Sequence, residues 1–365
     1  MFNNWELYIR RILIIFLIFL FVNNVSYAEE VSEGLLTTEY YLSYDIENES
    51  ILFSNQLNET IYPASLTKLM TALILLENYK LNDYIVTMYP PDYVNKGKVA
   101  YIPASTEISI DDLLKLLLIY SANDAAYISA MAVTENIDEF VNLMNNKANE
   151  LNMYNTNFMN PDGIHDDDHY TTLNDLLILS LEVVDNIEII SIVSKTSFIS
   201  DATGEDITYN TTNFLIKDGF IGLKTGWTDK AGLTFIGFNQ TNNREIITIV
   251  NKSKVDENKY SHFGDTLLLY KTSIDAFNNF IILNKNQNLY NIRHGNSINY
   301  YKNSEEWRGF GYIENNYKIQ FTNYKDNNLY FEYGDYKKSF KINNSRNTIK
   351  WTFDPLKVLN IFANQ

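Results

Sequence analysis

No cysteine occurs among the 365 residues of the chain. That excludes thiolate catalysis, cysteine-ligated metal and disulfide staples, so core packing alone must hold the fold together. Positive charge is in the minority: 29 Lys and Arg face 45 Asp and Glu, a formal net charge of −16. Such an acidic surface disfavours nucleic acid and anionic lipid as partners. No internal repeat is present, and the abundant Asn, Ile, Tyr and Lys are spread over the whole chain rather than set apart as a low-complexity segment. The apolar run from Ile12 to Val22 is too short to span a bilayer comfortably.

That run follows Arg10 and Arg11 and precedes Ser26-Tyr27-Ala28, which offers small residues at the two positions a signal peptidase inspects. Residues 1–28 therefore read as a secretory signal, and the mature, exported chain begins near Glu29. The remainder is long enough for one large domain or two ordinary ones. Up to about residue 280, strand-like and helix-like segments mix in an α/β or α+β pattern. A hairpin is expected over 40–54 around Glu47 to Ser50, helices over 64–79, 111–119, 124–133, 135–151, 172–184 and 258–279, and a second hairpin around Thr241-Asn242-Asn243. Beyond "NKNQNLYN" (284–291) helical periodicity gives way to aromatic-rich alternation joined by Asn, Asp and Gly turns. A boundary near 282 and a small all-β domain over 283–365 follow.

Within the first region, "YPASLTKLMT" (62–71) places Ser65 and Lys68 three positions apart at the start of a helix that is apolar nearly all round. Residues at that spacing share a helix face and can exchange a proton. A serine hydroxyl becomes nucleophilic when a neighbouring base takes its proton, and a lysine serves as that base if burial or nearby positive charge lowers its pKa. Taken alone, the same pattern also fits a buried helix with a snorkelling lysine. Two further motifs change the balance. "YSANDAA" puts Ser121 and Asn123 between two helices, where a hydroxyl and an amide can project into a cleft. "GLKTGWTDKAG" supplies Lys224-Thr225-Gly226 at the edge of a strand-like segment, and a residue without a Cβ lets another backbone approach closely.

The ordered set Ser65-x-x-Lys68, Ser121-x-Asn123, Lys224-Thr225-Gly226 resembles the signature of penicillin-recognising serine enzymes. With "NPDGIHDDDHYTTLNDL" between them, these segments are similar to the D-alanyl-D-alanine carboxypeptidases, the low-molecular-weight penicillin-binding proteins, in order over about residues 40–280. The resemblance implies an α/β (α+β) catalytic domain of the transpeptidase or β-lactamase type, with an antiparallel sheet and a helical lobe, over 29–282. It implies a hydrolase that removes the last D-alanine from peptidoglycan stem peptides ending in D-Ala-D-Ala, needs no cofactor or metal, and is covalently inhibited by β-lactams. Ser65 would be the nucleophile and Lys68 its base, while Ser121 would relay a proton to the leaving amine. Asn123 would orient Lys68 and the substrate amide. Lys224 and Thr225 would hold the terminal carboxylate, with Lys224 also repelling charge on Lys68. Gly226 would leave room on the strand, and the backbone N–H groups of Ser65 and Trp227 would form the oxyanion hole.

Rival assignments have their own residues. A class A β-lactamase needs a water-activating glutamate in an E-x-x-x-N element, and Glu182 with Asn186 has that spacing. A D,D-endopeptidase or transpeptidase would use the same acyl-enzyme, and a non-catalytic wall-binding protein would keep the fold without the reactive residues. "HDDDH" (165–169) has the residue types of a metal site but reads as a solvated acidic loop. The carboxyl end, "DPLKVLNIFANQ", has only Lys357 as a cation, which argues against the basic membrane-lying helix common in the family.

Overall fold

The hairpin expected at 40–54 forms from β1 (Tyr40–Asp45) and β2 (Ser50–Asn55), paired antiparallel with a bulge at Ser43/Tyr44. A computed structural model describes residues 35–241, 244–258 and 260–283 and then the backbone of the strands between Asn288 and Trp351. The expected signal at 1–28 and the terminal segment 354–365 lie outside the described residues.

After β2 the chain turns through a short 3-10 segment, Ala64–Thr67, into α1 (Lys68–Asn78), whose residues Lys68 to Leu75 are all buried. The small hairpin of β3 (Tyr84–Val86) and β4 (Glu107–Ser109) leads into α2 (Ile110–Lys115), capped by the Ser109 hydroxyl accepting from the Asp112 amide at 3.2 Å. A single π turn, Leu116–Tyr120, then separates α2 from α3 (Asn123–Val133). The expected 111–119 helix is thus interrupted. The wide turn ends in a left-handed Ser121 (φ 70°), and this bend carries the Ser121 and Asn123 side chains out of the helix line. Next come α4 (Ile137–Glu150), α5 (Leu173–Val184) and α6 (Ile187–Val193), capped by Asn136, Thr172 and Asn186 respectively. The last was not expected, because seven residues are too few to show periodicity.

A second small hairpin, β5 (Ser197–Ser200) with β6 (Ile207–Asn210), precedes β7 (Phe220–Thr228), β8 (Gly232–Thr241) and β9 (Arg244–Ser253). With β1 and β2 these three make an antiparallel five-stranded sheet in the order β2-β1-β9-β8-β7, which leaves β7 at an edge. Its central strands β8 and β9 are buried on both faces, and Ile236, Phe238, Ile247 and Ile249 join α1, α3 and α5 in one apolar core. Helix α7 (Ser261–Ala276) follows.

The chain divides into two compact units, the first ending at Ser273 and the second beginning at Ile274. The helix expected over 258–279 ends at Ala276, and from Phe277 the stretch "FNNFIIL" of β10 (Phe277–Leu283) pairs antiparallel with a strand at Trp307–Tyr312. Six more strands, from Asn288 to Trp351, form a sheet in which neighbours are antiparallel except the pair Ser297–Asn303 and Thr348–Trp351.

Candidate active site

Ser65 sits in the 3-10 turn, half-buried, directly after Ala64, which takes an unusual left-handed φ of 48°. That local reversal sets the hydroxyl at the head of α1, and Lys68, the helix's first residue, lies beneath it. The Lys68 Nζ donates to Ser65 Oγ at 3.0 Å, to Asn123 Oδ1 at 2.7 Å and to the backbone carbonyl of Asp162 at 2.7 Å. Three acceptors account for all three protons of an ammonium. The lysine has no solvent exposure. Burial is the main reason its pKa drops to about 8; the Asp162 and Asp124 carboxylates oppose the drop and the Lys98 ammonium assists it. A neutral amine is therefore accessible near neutral pH, at hydrogen-bonding distance from a serine hydroxyl.

Lys224 is equally enclosed, 2% exposed, and its Nζ donates to Ser121 Oγ at 2.8 Å and to the Thr225 carbonyl at 2.9 Å. Both acceptors are neutral. Burial, then repulsion from Lys68 and Lys98, hold its pKa well below the usual lysine value. Sequence reasoning missed Lys98. Its ammonium stands 4.0 Å over the Tyr120 ring, next to Ser121, and its carbonyl accepts from the Asn123 amide at 2.7 Å. Its lack of a motif hid it, since neither lysine of "NKGKVA" carries a spacing signal.

The two motif lysines thus divide the S-x-N element between them: Asn123 serves Lys68, and Ser121 serves Lys224. Asn123 is fixed from its other end by Nδ2 donating to the Lys96 carbonyl at 2.8 Å. The Thr225 hydroxyl donates to Thr212 Oγ1 at 2.7 Å, so a second hydroxyl stands beside it. Gly226 packs under the nucleophile turn: a Cβ there would lie 3.0 Å from the Ser65 nitrogen and 2.8 Å from Thr234 Cγ2. The close approach this glycine permits is therefore that of the Ser65 turn itself. Trp227 follows on the same edge strand, 43% exposed, with the outer edge of β7 unpaired within the sheet.

The "NPDGIHDDDH" segment is more than a solvated loop. Besides the Asp162 carbonyl, it brings Gly163, whose φ of +84° would place a Cβ 1.9 Å from the Ala64 carbonyl oxygen. His169 is buried rather than solvated; its Nε2 bonds Thr67 Oγ1 at 2.9 Å while its Nδ1 accepts from the Met159 amide at 3.4 Å, and burial lowers its pKa to about 4. His165 instead packs edge-on against Tyr62 at 4.7 Å and lies 3.3 Å from the Asp167 carboxylate. The two imidazoles have separate surroundings, and among the described residues no group of three or more His, Asp or Glu side chains could hold a metal ion. The lactamase-like pair is also accounted for: the Glu182 carboxylate acts on Lys147, and the Asn186 side chain accepts from the Ile189 amide at 3.0 Å as a helix cap.

Three comparisons place this geometry among known proteins. Residues 28–254 match the family model of the D-alanyl-D-alanine carboxypeptidases. The D-alanyl-D-alanine carboxypeptidase DacF of Bacillus subtilis is 31% identical over 209 residues, which cover 55% of this chain and 53% of that protein. A D-alanyl-D-alanine endopeptidase of Haemophilus influenzae is 29% identical over 250 residues, 65% of this chain and 85% of its own. The chain thus spans about half the length of the first relative. Among solved structures, penicillin-binding protein D2 of Listeria monocytogenes in its cefotaxime-bound form superposes with a TM-score of 0.58 at 28% identity, covering 66% of this chain and 98% of that one. The chain belongs to the D-alanyl-D-alanine carboxypeptidase family.

Proposed function

We propose that the protein is a serine-type D-Ala-D-Ala carboxypeptidase that acts outside the cytoplasm on peptidoglycan stem peptides. The observation that carries this reading is the pair at the head of α1, a half-buried serine hydroxyl 3.0 Å from a buried lysine whose pKa is about 8. Lys68 takes the Ser65 proton as Oγ attacks the carbonyl between the two terminal D-alanines. Charge developing on that carbonyl oxygen is met by the backbone N–H groups of Ser65 and Trp227. Collapse breaks the peptide bond, leaves an ester on Ser65 and sends D-alanine away with a proton relayed through Ser121. Water then attacks the ester, with Lys68 again as base.

Selection for a terminal carboxylate falls to Lys224, a buried amine whose hydrogen bonds go only to neutral oxygens and whose charged form an arriving carboxylate would favour, assisted by the hydroxyls of Thr225 and Thr212. The peptide would lie along the free edge of β7 at residues 224–228 as an added strand. An endopeptidase is the second reading, favoured by the relative of that name; it would not require the carboxylate. A β-lactam reproduces the scissile amide but keeps its leaving group tethered, so it should remain on Ser65. Residues 1–28 would export the chain, and the all-strand unit would be a module apart from the chemistry. Incubation with benzylpenicillin tests the mechanism: the mature protein should gain one intact antibiotic on the peptide containing Ser65 and lose it slowly. Rapid hydrolysis without a lasting adduct would instead mark a β-lactamase.

A further inference from the structure

Residues 96–102 form a strap fastened to the element that carries Ser121 and Asn123. The Lys96 carbonyl accepts from Asn123 Nδ2 at 2.8 Å, and the Lys98 carbonyl accepts from the Asn123 backbone amide at 2.7 Å. Between them Gly97, at φ +68°, packs so closely that a Cβ would lie 2.7 Å from the same Nδ2. The far end of the strap is pinned by Asp124, which is fully buried and whose carboxylate accepts from the amides of Ala100 at 2.9 Å and Ile102 at 3.1 Å. Tied at both ends, the strap fixes where Lys98 lies. Its ammonium stands 4.0 Å over the Tyr120 ring, and Tyr120 is held edge-on against Tyr209 at 4.8 Å.

A cation at this place has an electrostatic consequence. The charged groups that act on Lys68 come from four elements: the Asp162 carboxylate from the 160–169 loop, the Asp124 carboxylate from α3, Lys224 from β7 and Lys98 from the strap. Both carboxylates favour the protonated lysine. Lys224 is a poor counterweight, because burial, ahead of repulsion from Lys68 and Lys98, discourages its own charge. Burial lowers the Lys98 pKa too, but that residue is exposed, and the face of an aromatic ring attracts an ammonium. The carboxylate of Asp124, which works against a neutral Lys68, thus also ties down the strap that brings the opposing cation.

We propose that Lys98 is a positioning residue of this site: the strap holds its ammonium beside Ser121 as a fixed positive charge that biases Lys68 toward the neutral amine the proton transfer requires. The proposal rests on the reading of Lys68 as the base. Lys98 touches neither the serine nor the substrate in this role; it acts through Lys68 and sets the pH range in which the base is ready.

The charge series Lys98→Arg, Lys98→Met and Lys98→Glu tests this, read as the midpoint of the acid limb in the pH dependence of acylation by benzylpenicillin. Removing a neighbouring cation makes the Lys68 ammonium easier to form, so the limb should move up by about half a pH unit with Met and about one unit with Glu, and stay in place with Arg. Near pH 6.5 the corresponding losses are about threefold and about tenfold, and they should vanish well above the limb. About 1 M salt should shrink these differences, since an exposed charge is screened. A limb that stays put in all three variants while the rate falls at every pH would overturn the proposal, because that marks a packing role. An equal shift from Lys96→Met would overturn it too, since the Lys96 ammonium lies in the same strap but acts on Asp162, and the effect would then be one of bulk charge. The Lys68 Cε chemical shift, titrated in Ser65→Ala with and without Lys98→Met, keeps the question separate from turnover. If neither penicillin nor peptide reacted, the carboxypeptidase reading would fail, yet a higher Lys68 midpoint without the Lys98 charge would still support the proposal and an unmoved midpoint would still refute it.

Discussion

Residues 62–71 and 160–169 meet at the nucleophile, and they contribute through different kinds of atoms. The first segment supplies reactive side chains, Ser65 Oγ and Lys68 Nζ. The second supplies a carbonyl at Asp162, an absent Cβ at Gly163 and a neutral imidazole at His169 behind Thr67. In the mechanism we propose, one segment does chemistry and the other fixes its geometry. A serine and a lysine three positions apart are thus insufficient by themselves; the turn that carries them is held in place by a loop a hundred residues further along the chain.

The largest expected effect lies in the first segment. Ser65→Ala should reduce D-alanine release by on the order of 10⁴-fold or more and abolish penicillin labelling, with thermal stability nearly unchanged. Retained labelling at another residue would break the assignment of chemistry to this turn.

The second segment should respond through stability as well as rate. Gly163→Ala forces a Cβ into the Ala64 carbonyl and should cost about 3 kcal/mol, read as a fall in thermal midpoint, and slow acylation with it. Gly204 is the control. Its φ of +91° is also left-handed, but nothing lies within 4 Å of the position a Cβ would take, so Gly204→Ala should cost only about 1 kcal/mol and leave the rate alone. Equal losses at the two glycines would mean that backbone strain, not contact with the nucleophile turn, governs Gly163.

A pH profile separates the segments again. Lys68 must be neutral to accept the serine proton, and its pKa is about 8, so kcat/KM should fall tenfold per pH unit below that value. His169, with a pKa of about 4, is already neutral there and should leave no inflection between pH 5 and 7. The smallest effect is expected at this histidine. His169→Ala strands the buried Thr67 hydroxyl and should slow penicillin acylation by about tenfold, with partial rescue by His169→Gln, which can again donate to that oxygen.

Much of this architecture was legible beforehand because it is written in side-chain type and spacing. Apolar strand-like stretches beside turn residues, "YYLSYD" and "REIITIV", declared strands, and the cluster Ser65, Lys68, Ser121, Asn123, Lys224, Thr225 and Gly226 comes together in space. What stayed hidden is backbone-made. The π turn before Ser121 depends on how Leu116–Tyr120 packs, which composition does not encode. Likewise the Asp162 residue bonds Lys68 through its peptide oxygen, which no side-chain type declares. His169 and His165 looked alike in "HDDDH"; only burial separates a core brace from a surface contact.

The central claim is that Ser65 and Lys68 act on a peptide whose free terminal carboxylate is held by Lys224. Its most direct test is D-alanine release from a peptide ending in D-Ala-D-Ala, measured side by side with the corresponding C-terminal amide, using residues 29–365. The free acid should release one D-alanine per peptide, and the amide should react slower by about two decades or more, since it leaves a buried cation without its anion. Equal rates for acid and amide would contradict the carboxypeptidase assignment and turn the account toward an endopeptidase.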